Sequence, residues 1–263
     1  MNLLSSIGKR TCDIFHTLID FFAFLGETLV ESLSCLFFPR RFRFGDCALA
    51  FQRAAFDALP IATLIGFLLG LILAFQSAAA LQTFGVESYV ANLLAIALFR
   101  ELGPLVTAIV LAGRSGSAFA AEIGTMKVNE ELNALTTMGL PPVRFLVLPR
   151  ITAAVLAMPI LTIFAELAGL IGGAIVLEMM NVPNSVYWRN VASSSSAFNI
   201  AFGLGKAALF GLLVALVSCA AGMRTKETAD GVGTAATSAV VSGIIAIAFA
   251  DGLLALLCHI WSI

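Results

Sequence analysis

The chain has 263 residues, of which 60% are hydrophobic and only 12% are charged. Because an ordinary soluble domain is about 45–50% apolar and about 25% charged, this composition argues against a soluble globular enzyme and against a disordered chain. The net charge of −1, from 15 basic and 16 acidic residues, gives no indication of nucleic-acid binding. Five scattered cysteines and two distant histidines indicate neither a disulfide framework nor a metal site.

The N-terminal segment, residues 1–45, is apolar but carries regularly spaced charge. Asp13, Asp20 and Glu27 are seven residues apart and Glu31 follows four later, so the carboxylates share one face of a predicted helix. A spanning helix would bury these groups in lipid, which is costly, whereas an interfacial helix leaves them in water. The pattern predicts an amphipathic interfacial helix followed by a basic anchor. A sixth span packed against protein is the alternative.

Residues 46–263 are predicted to form one membrane domain. Crossing about 30 Å of hydrocarbon takes about 20 apolar residues, and five stretches are long enough. They cover about 58–86, 89–117, 145–177, 197–223 and 234–260. The predicted fold class is therefore an all-α integral membrane protein with an N-terminal interfacial helix and five transmembrane helices. Gly66-x-x-x-Gly70 and Gly169-x-x-x-Gly173 permit close contact between helices.

The basic residues predict the orientation of the chain. With the N-terminus in the cytoplasm, the inner side holds 12 of the 15 basic residues, and Arg189 is the one on the outer side. The twelve are Lys9, Arg10, Arg40, Arg41, Arg43, Arg53, Arg114, Lys127, Arg144, Arg150, Arg224 and Lys226. Five spans then place the C-terminus outside. The outer loop carries Tyr187 and Trp188, which are typical of an interfacial aromatic belt.

The loop between the second and third spans is the most polar part of the chain. It predicts a short amphipathic helix within about 122–139, with Asn129 as its N-cap and Gly139 at its end. Such a helix can seat in a groove of a partner protein or lie flat on the membrane, and the residues alone leave both open. The candidate contact residues are Glu122, Lys127, Asn129, Glu130, Glu131, Leu132 and Leu135.

Four ionisable residues lie at membrane depth in the predicted spans: Arg100, Glu101, Lys206 and Asp251. Their charges sum to zero, and charges in a bilayer are expensive unless they are paired or hydrated. We therefore expect them to lie near one another or to line one aqueous cavity. They either meet a lipid headgroup or form a structural ion pair, and the sequence leaves both open. Glu166 has no obvious partner.

A candidate lipid-facing surface lies late in the first span. Leu73, Gln76, Ala80 and Phe84 follow at spacings of three and four residues, which places them on one helix face. From sequence alone, helix packing is the favoured explanation of this face.

Five segments of the predicted membrane domain form a recognisable pattern. They are RELGPLVTA at 100–108, AGRSGS at 112–117, AEIGTMKVNEELNAL at 121–135, MGLPPVRFLVLPR at 138–150 and DGVGTAAT at 230–237. These segments resemble the MlaE/YrbE family, the permease subunits of lipid-transporting ABC systems. The similarity extends from about Ala48 through Asp251, whereas the first 45 residues are similar only in type.

The resemblance implies a homodimer in the bacterial inner membrane, with the N-terminus cytoplasmic and the C-terminus periplasmic. It implies a cytoplasmic ABC ATPase seated on the 122–139 region, a periplasmic MCE-domain protein and, in some systems, a STAS-domain protein. It also implies a glycerophospholipid substrate held at the dimer interface, with the face from Leu73 to Phe84 toward that cavity. ATP and magnesium would be bound by the partner. In this chain Gly205-Lys206 is followed by Ala207 and does not fit a Walker A motif.

A proton-coupled secondary transporter is the alternative function. Glu101, Glu166 and Asp251 could relay protons in that case. Five spans without a visible internal repeat argue against it.

Overall fold

The computed structural model describes the backbone of residues 3–38 and 42–260 and the side chains of 19–35, 37–38, 42–228 and 230–260. Over this part of the chain the protein is helical and no strand is found. The α-helices are α1 (Leu3–Phe37), α2 (Phe44–Ala55), α3 (Leu59–Gln82), α4 (Val90–Ala97), α5 (Gly103–Leu111), α6 (Ser117–Val128), α7 (Glu131–Thr137), α8 (Leu148–Met179), α9 (Asn184–Ser194), α10 (Ala197–Met223) and α11 (Ala229–Ile260).

Five helical stretches in the described residues are long and apolar enough to cross a membrane. They are Phe44–Gln82, Glu87–Val128, Val143–Met179, Ala197–Met223 and Asp230–Ile260. The predicted all-α membrane fold with five spans is confirmed. The helices extend past the predicted limits because their charged ends pack against protein: α2 precedes the first predicted span, and α6 carries the second to Val128.

Three π-helical turns interrupt or precede these helices, at Leu98–Leu102, Ala112–Gly116 and Val143–Val147. A π-turn adds one residue to a helical turn and changes the direction of the side chains that follow, and such turns occur frequently at functional sites. The first two lie within the second membrane helix, and the third begins the third one. The third membrane helix continues without a break from Leu148 to Met179.

A close backbone contact joins α3 and α8. A side-chain carbon added at Gly66 would meet the backbone of Ala165, and one added at Gly70 would meet the backbone of Gly169. In return, Gly169 faces the carbonyl oxygen of Gly66. Small residues allow such backbone approach in membranes, where apolar side chains gain little by leaving lipid. Both glycine pairs noted in the sequence therefore serve packing within one chain.

The N-terminal helix α1 is continuous. Asp20 and Glu27 are exposed, whereas Glu31 accepts a hydrogen bond of 2.7 Å from the Arg144 guanidinium, which ties α1 to the start of the third membrane helix. Its position at the membrane surface stays a prediction. The side chain of Asp13 and residues Arg40 and Arg41 of the basic anchor lie outside the described residues.

The loop predicted to carry an aromatic belt is folded into α9. Trp188 is 43% exposed, but Tyr187 is fully buried, so the belt prediction is wrong for Tyr187. The Tyr187 hydroxyl donates a 2.7 Å hydrogen bond to the carbonyl oxygen of Leu170 in α8. Burial raises the pKa of Tyr187, so the phenol stays protonated and keeps this hydrogen bond. The bond holds α9 against α8.

We predict that Gly70→Ala destabilises the protein by about 1–3 kcal/mol, because the added methyl group forces α3 away from the backbone of α8. Gly252→Ala is the matched control, since that glycine is also helical and has no atom within 4 Å of an added carbon. Thermal unfolding of the detergent-solubilised protein measures both. Equal melting temperatures for the two variants would contradict the close packing.

Candidate functional site

A buried lysine connects three membrane helices. The Lys206 ammonium, in the middle of α10, contacts the Glu101 carboxylate and lies 2.6 Å from the Asp251 carboxylate of α11. The Lys206 side chain is only 1% exposed, whereas those of Glu101 and Asp251 are 42% and 20% exposed. The cluster therefore has a buried cation and a carboxylate side that is open.

The first π-helical turn supplies Arg100 and Glu101, the two residues of the second membrane helix that were predicted to be charged at membrane depth. Glu101 contacts Lys206, while the backbone carbonyl of Arg100 lies 3.5 Å from the same ammonium. The Arg100 guanidinium stands 5.7 Å from the centre of the Phe202 ring of α10. The structure therefore brings the four charged residues expected at membrane depth to one region between the second membrane helix, α10 and α11.

The energetics of this arrangement follow from the medium. An ammonium at membrane depth without a counter-ion is very unfavourable, and removing one partner of a buried pair costs about 3–5 kcal/mol. Two carboxylates share one lysine, so the three side chains together carry one negative charge, which the Arg100 guanidinium balances. The helices are thus held together electrostatically where hydrophobic burial contributes little.

Glu166 is separate from this cluster. It is 4% exposed in α8 and packs against Gly103, where an added carbon would lie 2.7 Å from its Cγ and Oε1. One turn away, the hydroxyls of Thr107 and Thr162 form a 2.8 Å hydrogen bond that joins the same two helices. Glu166 therefore lies between the second and third membrane helices and forms no ion pair within the described residues.

The candidate lipid-facing residues divide into three environments. Leu73 packs partly into a core formed with α4 and α8, whereas Gln76 and Ala80 are exposed on α3. Phe84 is 77% exposed but lies beyond the end of α3 at Gln82. The prediction that all four share one helix face is wrong for Phe84, because the helix ends in a turn before it.

The predicted helix of the polar loop is shorter than expected. Glu130 adopts a left-handed conformation, φ 60°, which ends α6 and starts α7 at Glu131. Asn129 is the C-cap of α6, so its predicted role as N-cap is wrong, and the N-cap residue Glu130 makes no side-chain capping bond. Gly139, with φ 73°, follows the end of the helix as expected.

Two of the predicted contact residues belong to α6 and bond to neighbouring helices of the same chain. Glu122 accepts hydrogen bonds from Arg53 at 3.0 Å and from Arg150 at 2.8 Å. The Lys127 ammonium donates a 2.8 Å bond to the carbonyl oxygen of Met223. The sequence predicts Glu122 and Lys127 to lie in the polar loop because charged residues are typical of loops.

Helix α7 itself presents a nearly free surface. Of its residues Glu131–Thr137, Leu132 is buried and Leu135 is partly buried, while the others are exposed. Two apolar side chains thus hold the helix down, and its outer side is open to another molecule.

Comparison with known protein families identifies most of the chain. The model of the family described as "Permease MlaE" matches residues 48–257, which include α3, α7 and all three members of the lysine cluster. The chain belongs to the MlaE permease family. This confirms the family expected from the sequence.

Three relatives show the range of the MlaE family. The chain is 31% identical over 261 residues to "Intermembrane phospholipid transport system permease protein MlaE" of Haemophilus influenzae, covering 97% of this chain and 96% of the relative. It is 34% identical to a "Probable ABC transporter permease protein" of Rickettsia bellii, with the same coverage. "Protein TRIGALACTOSYLDIACYLGLYCEROL 1, chloroplastic" of Arabidopsis thaliana is 32% identical over 76% of this chain and 57% of the relative.

The sequence did not indicate that Arg53 and Arg150 bond to Glu122, or that Glu31 bonds to Arg144. Their partners lie 28 to 113 residues away, and no local pattern specifies such pairs.

We predict that Lys206→Met lowers stability by about 3–5 kcal/mol, because it leaves two carboxylates facing each other without a cation. Lys226→Met is the control, since that lysine is exposed. Thermal unfolding in detergent compares the two.

The triple variant Lys206→Met, Glu101→Gln, Asp251→Asn removes all three charges and should recover most of the loss. A triple variant as unstable as the single one would contradict the electrostatic explanation.

Proposed function

We propose that this MlaE-family chain is the permease subunit of an ATP-driven transporter that moves glycerophospholipid between the inner and outer membranes of a bacterium. Two copies would hold the lipid in a cavity between them, and a separate cytoplasmic ABC ATPase would bind ATP and magnesium. A periplasmic MCE-domain protein and a STAS-domain protein are the further partners that we propose. The name of the Haemophilus relative supports phospholipid as the substrate class.

The exposed helix α7 is the observation on which the proposal depends. It follows the second membrane helix after a two-residue break and connects to the third through a short segment that ends in Pro141-Pro142. A short helix with an open outer side, fixed between two long helices, is suited to a groove in a partner protein.

The second membrane helix gives such a contact a mechanical path. Glu87–Val128 is a single 42-residue stretch, about 63 Å long at about 1.5 Å per residue. Glu101 lies on it and contacts Lys206. A displacement of α7 by an ATPase would therefore act on the helix that carries the lysine cluster, and so on α10 and α11.

The lipid would be held by the apolar and charged surfaces together. We propose that Gln76 and Ala80, which are exposed on α3, face the acyl chains together with Leu73 and Phe84. Arg100 and the open carboxylate side of the lysine cluster would then set the polar edge of the cavity.

We predict that reconstituted vesicles move phospholipid only when ATP and the partner ATPase are both present. Transfer of fluorescent phospholipid between donor and acceptor vesicles measures this. Transfer driven by a pH gradient alone would instead support the secondary transporter with Glu101, Glu166 and Asp251. Transfer by the permease without either energy source would contradict both functions.

We also predict that Ala134→Arg on α7 reduces ATP-driven transfer and retention of the ATPase about tenfold, because a long charged side chain on the open face blocks seating in a groove. Ala192→Arg is the matched control, since it is an exposed alanine on the short helix α9 at the other end of the membrane helices. Pull-down of the ATPase and transfer assays read both variants. Normal retention of the ATPase by Ala134→Arg would place the contact elsewhere.

A further inference from the structure

A cavity of about 310 Å³ lies between α2, α6 and α8, on the side of the molecule that carries α7. We call it the boundary cavity. Its apolar wall includes Leu49, Phe119, Phe145, Leu146 and Pro149. It is separate from the lysine cluster, none of whose members line it.

The boundary cavity lies where the hydrocarbon region ends. Asp57 immediately precedes the charge-free run 58–86, and Arg114 immediately follows the charge-free run 102–113. Both residues line the cavity. A phospholipid places its phosphate at this depth and its acyl chains beside the apolar runs.

The charged side chains around the cavity are balanced in sign. The guanidiniums are Arg53, Arg114 and Arg150, and the carboxylates are Asp46, Asp57 and Glu122. The carboxylates would repel a simple anion, and the guanidiniums would repel a simple cation. A group that carries one phosphate and one ammonium can satisfy both signs at once.

The ion pairs of the cavity differ in tightness. Glu122 is held by two arginines at 3.0 and 2.8 Å, whereas the Arg114 and Asp57 side chains are 3.5 Å apart. Arg114 is 40% exposed and Asp57 is 56% exposed. This loose and accessible pair is the part of the cavity that a zwitterionic ligand can open most easily.

A hydroxyl on the cavity wall adds a polar contact that the protein does not use. Ser115 lines the cavity, and its hydroxyl makes no hydrogen bond to another described residue. The residue as a whole is 5% exposed, but its hydroxyl oxygen is accessible from the cavity. The neighbouring Ser117 donates to the carbonyl oxygen of Gly113 at 2.7 Å, as serines in helices commonly do. Ser115 lies in the π-helical turn Ala112–Gly116, and its free, accessible hydroxyl can donate a hydrogen bond to a ligand in the cavity.

We propose that the boundary cavity binds a phosphoethanolamine group, the headgroup of a phospholipid in the adjoining leaflet. The phosphate contacts Arg114 and Ser115, the primary ammonium contacts Asp57, and the first acyl segments lie on the wall formed by Leu49 and Phe145. A choline headgroup has no N–H to donate to Asp57, and a glycerol headgroup brings no cation, so both bind less well. This site does not depend on which lipid the permease transports.

Photo-crosslinking with a defined probe tests this site. The full-length permease is placed in phosphatidylcholine nanodiscs with a trace of phosphatidylethanolamine that carries a diazirine near the top of one acyl chain. After irradiation, the labelled peptides are quantified by mass spectrometry. We predict labelling within 44–57, 114–122 and 143–150, displaced by unlabelled phosphatidylethanolamine about ten times more effectively than by phosphatidylglycerol or added phosphatidylcholine.

The variants Arg114→Gln and Ser115→Ala are predicted to reduce labelling of these peptides by about tenfold and about threefold. Arg189→Gln is the control, because Arg189 is exposed on α9, away from the cavity. Thermal unfolding verifies that each variant is folded. If Arg114→Gln does not fold, Ser115→Ala, which removes one oxygen atom, still provides the test.

Four results would overturn the proposal. They are labelling that is unchanged in folded Arg114→Gln or Ser115→Ala, labelling confined to other peptides, equal competition by phosphatidylglycerol, and displacement by soluble glycerophosphoethanolamine that is as effective as displacement by phosphatidylethanolamine. Equal competition by phosphatidylglycerol would indicate attraction of any anion. Equally effective displacement by the soluble compound would indicate a water-soluble ligand, because the acyl chains would then contribute nothing. None of these readings involves transport, so they are independent of the proposed function.

Discussion

The ammonium of Lys206 constrains the whole arrangement of the membrane helices. It has almost no contact with solvent, so its charge must be neutralised by protein, and the two carboxylates that do so come from the second membrane helix and from α11. Neither helix can move far from α10 without exposing an unpaired charge to an apolar medium. Motion that preserves the cluster, such as tilting of the three helices together, costs much less.

The opposite half of the molecule is held by a different force. Between α3 and α8, glycine backbones meet directly, and the attraction comes from close van der Waals contact. Such a contact tolerates little sliding, because each glycine accommodates one opposing carbonyl group. The chain therefore combines a rigid pair of helices, α3 and α8, with helices that are joined through the charges of Lys206, Glu101 and Asp251. The second membrane helix links the two parts, because the Thr107–Thr162 bond ties it to α8.

Much of the fold could be predicted from the sequence, because long apolar runs without charged residues indicate membrane-spanning helices. The ends of the helices could not be predicted. The α6 extension carries Glu122 and Lys127, whose polarity is typical of a loop until their partners Arg53, Arg150 and Met223 are known. The predicted N-cap at Asn129 failed for a local reason, since the left-handed residue Glu130 shifts the helix start. The charged residues at membrane depth were identifiable because few stable arrangements exist for them. The unbonded hydroxyl of Ser115 on the cavity wall depends on a π-turn that no sequence pattern indicated.

The bond between Glu31 and Arg144 has a consequence for the N-terminal helix. Arg144 lies five residues after Gly139, on the third π-helical turn, between the end of α7 and the body of α8. A displacement of α7 that is transmitted through the Gly139–Pro142 segment would move the anchor point of α1 as well. The 35-residue α1 would then act as a lever arm, so that a small rotation at its attachment becomes a displacement of many ångströms at its far end. A fluorophore placed near residue 3 would therefore detect movements of the membrane helices.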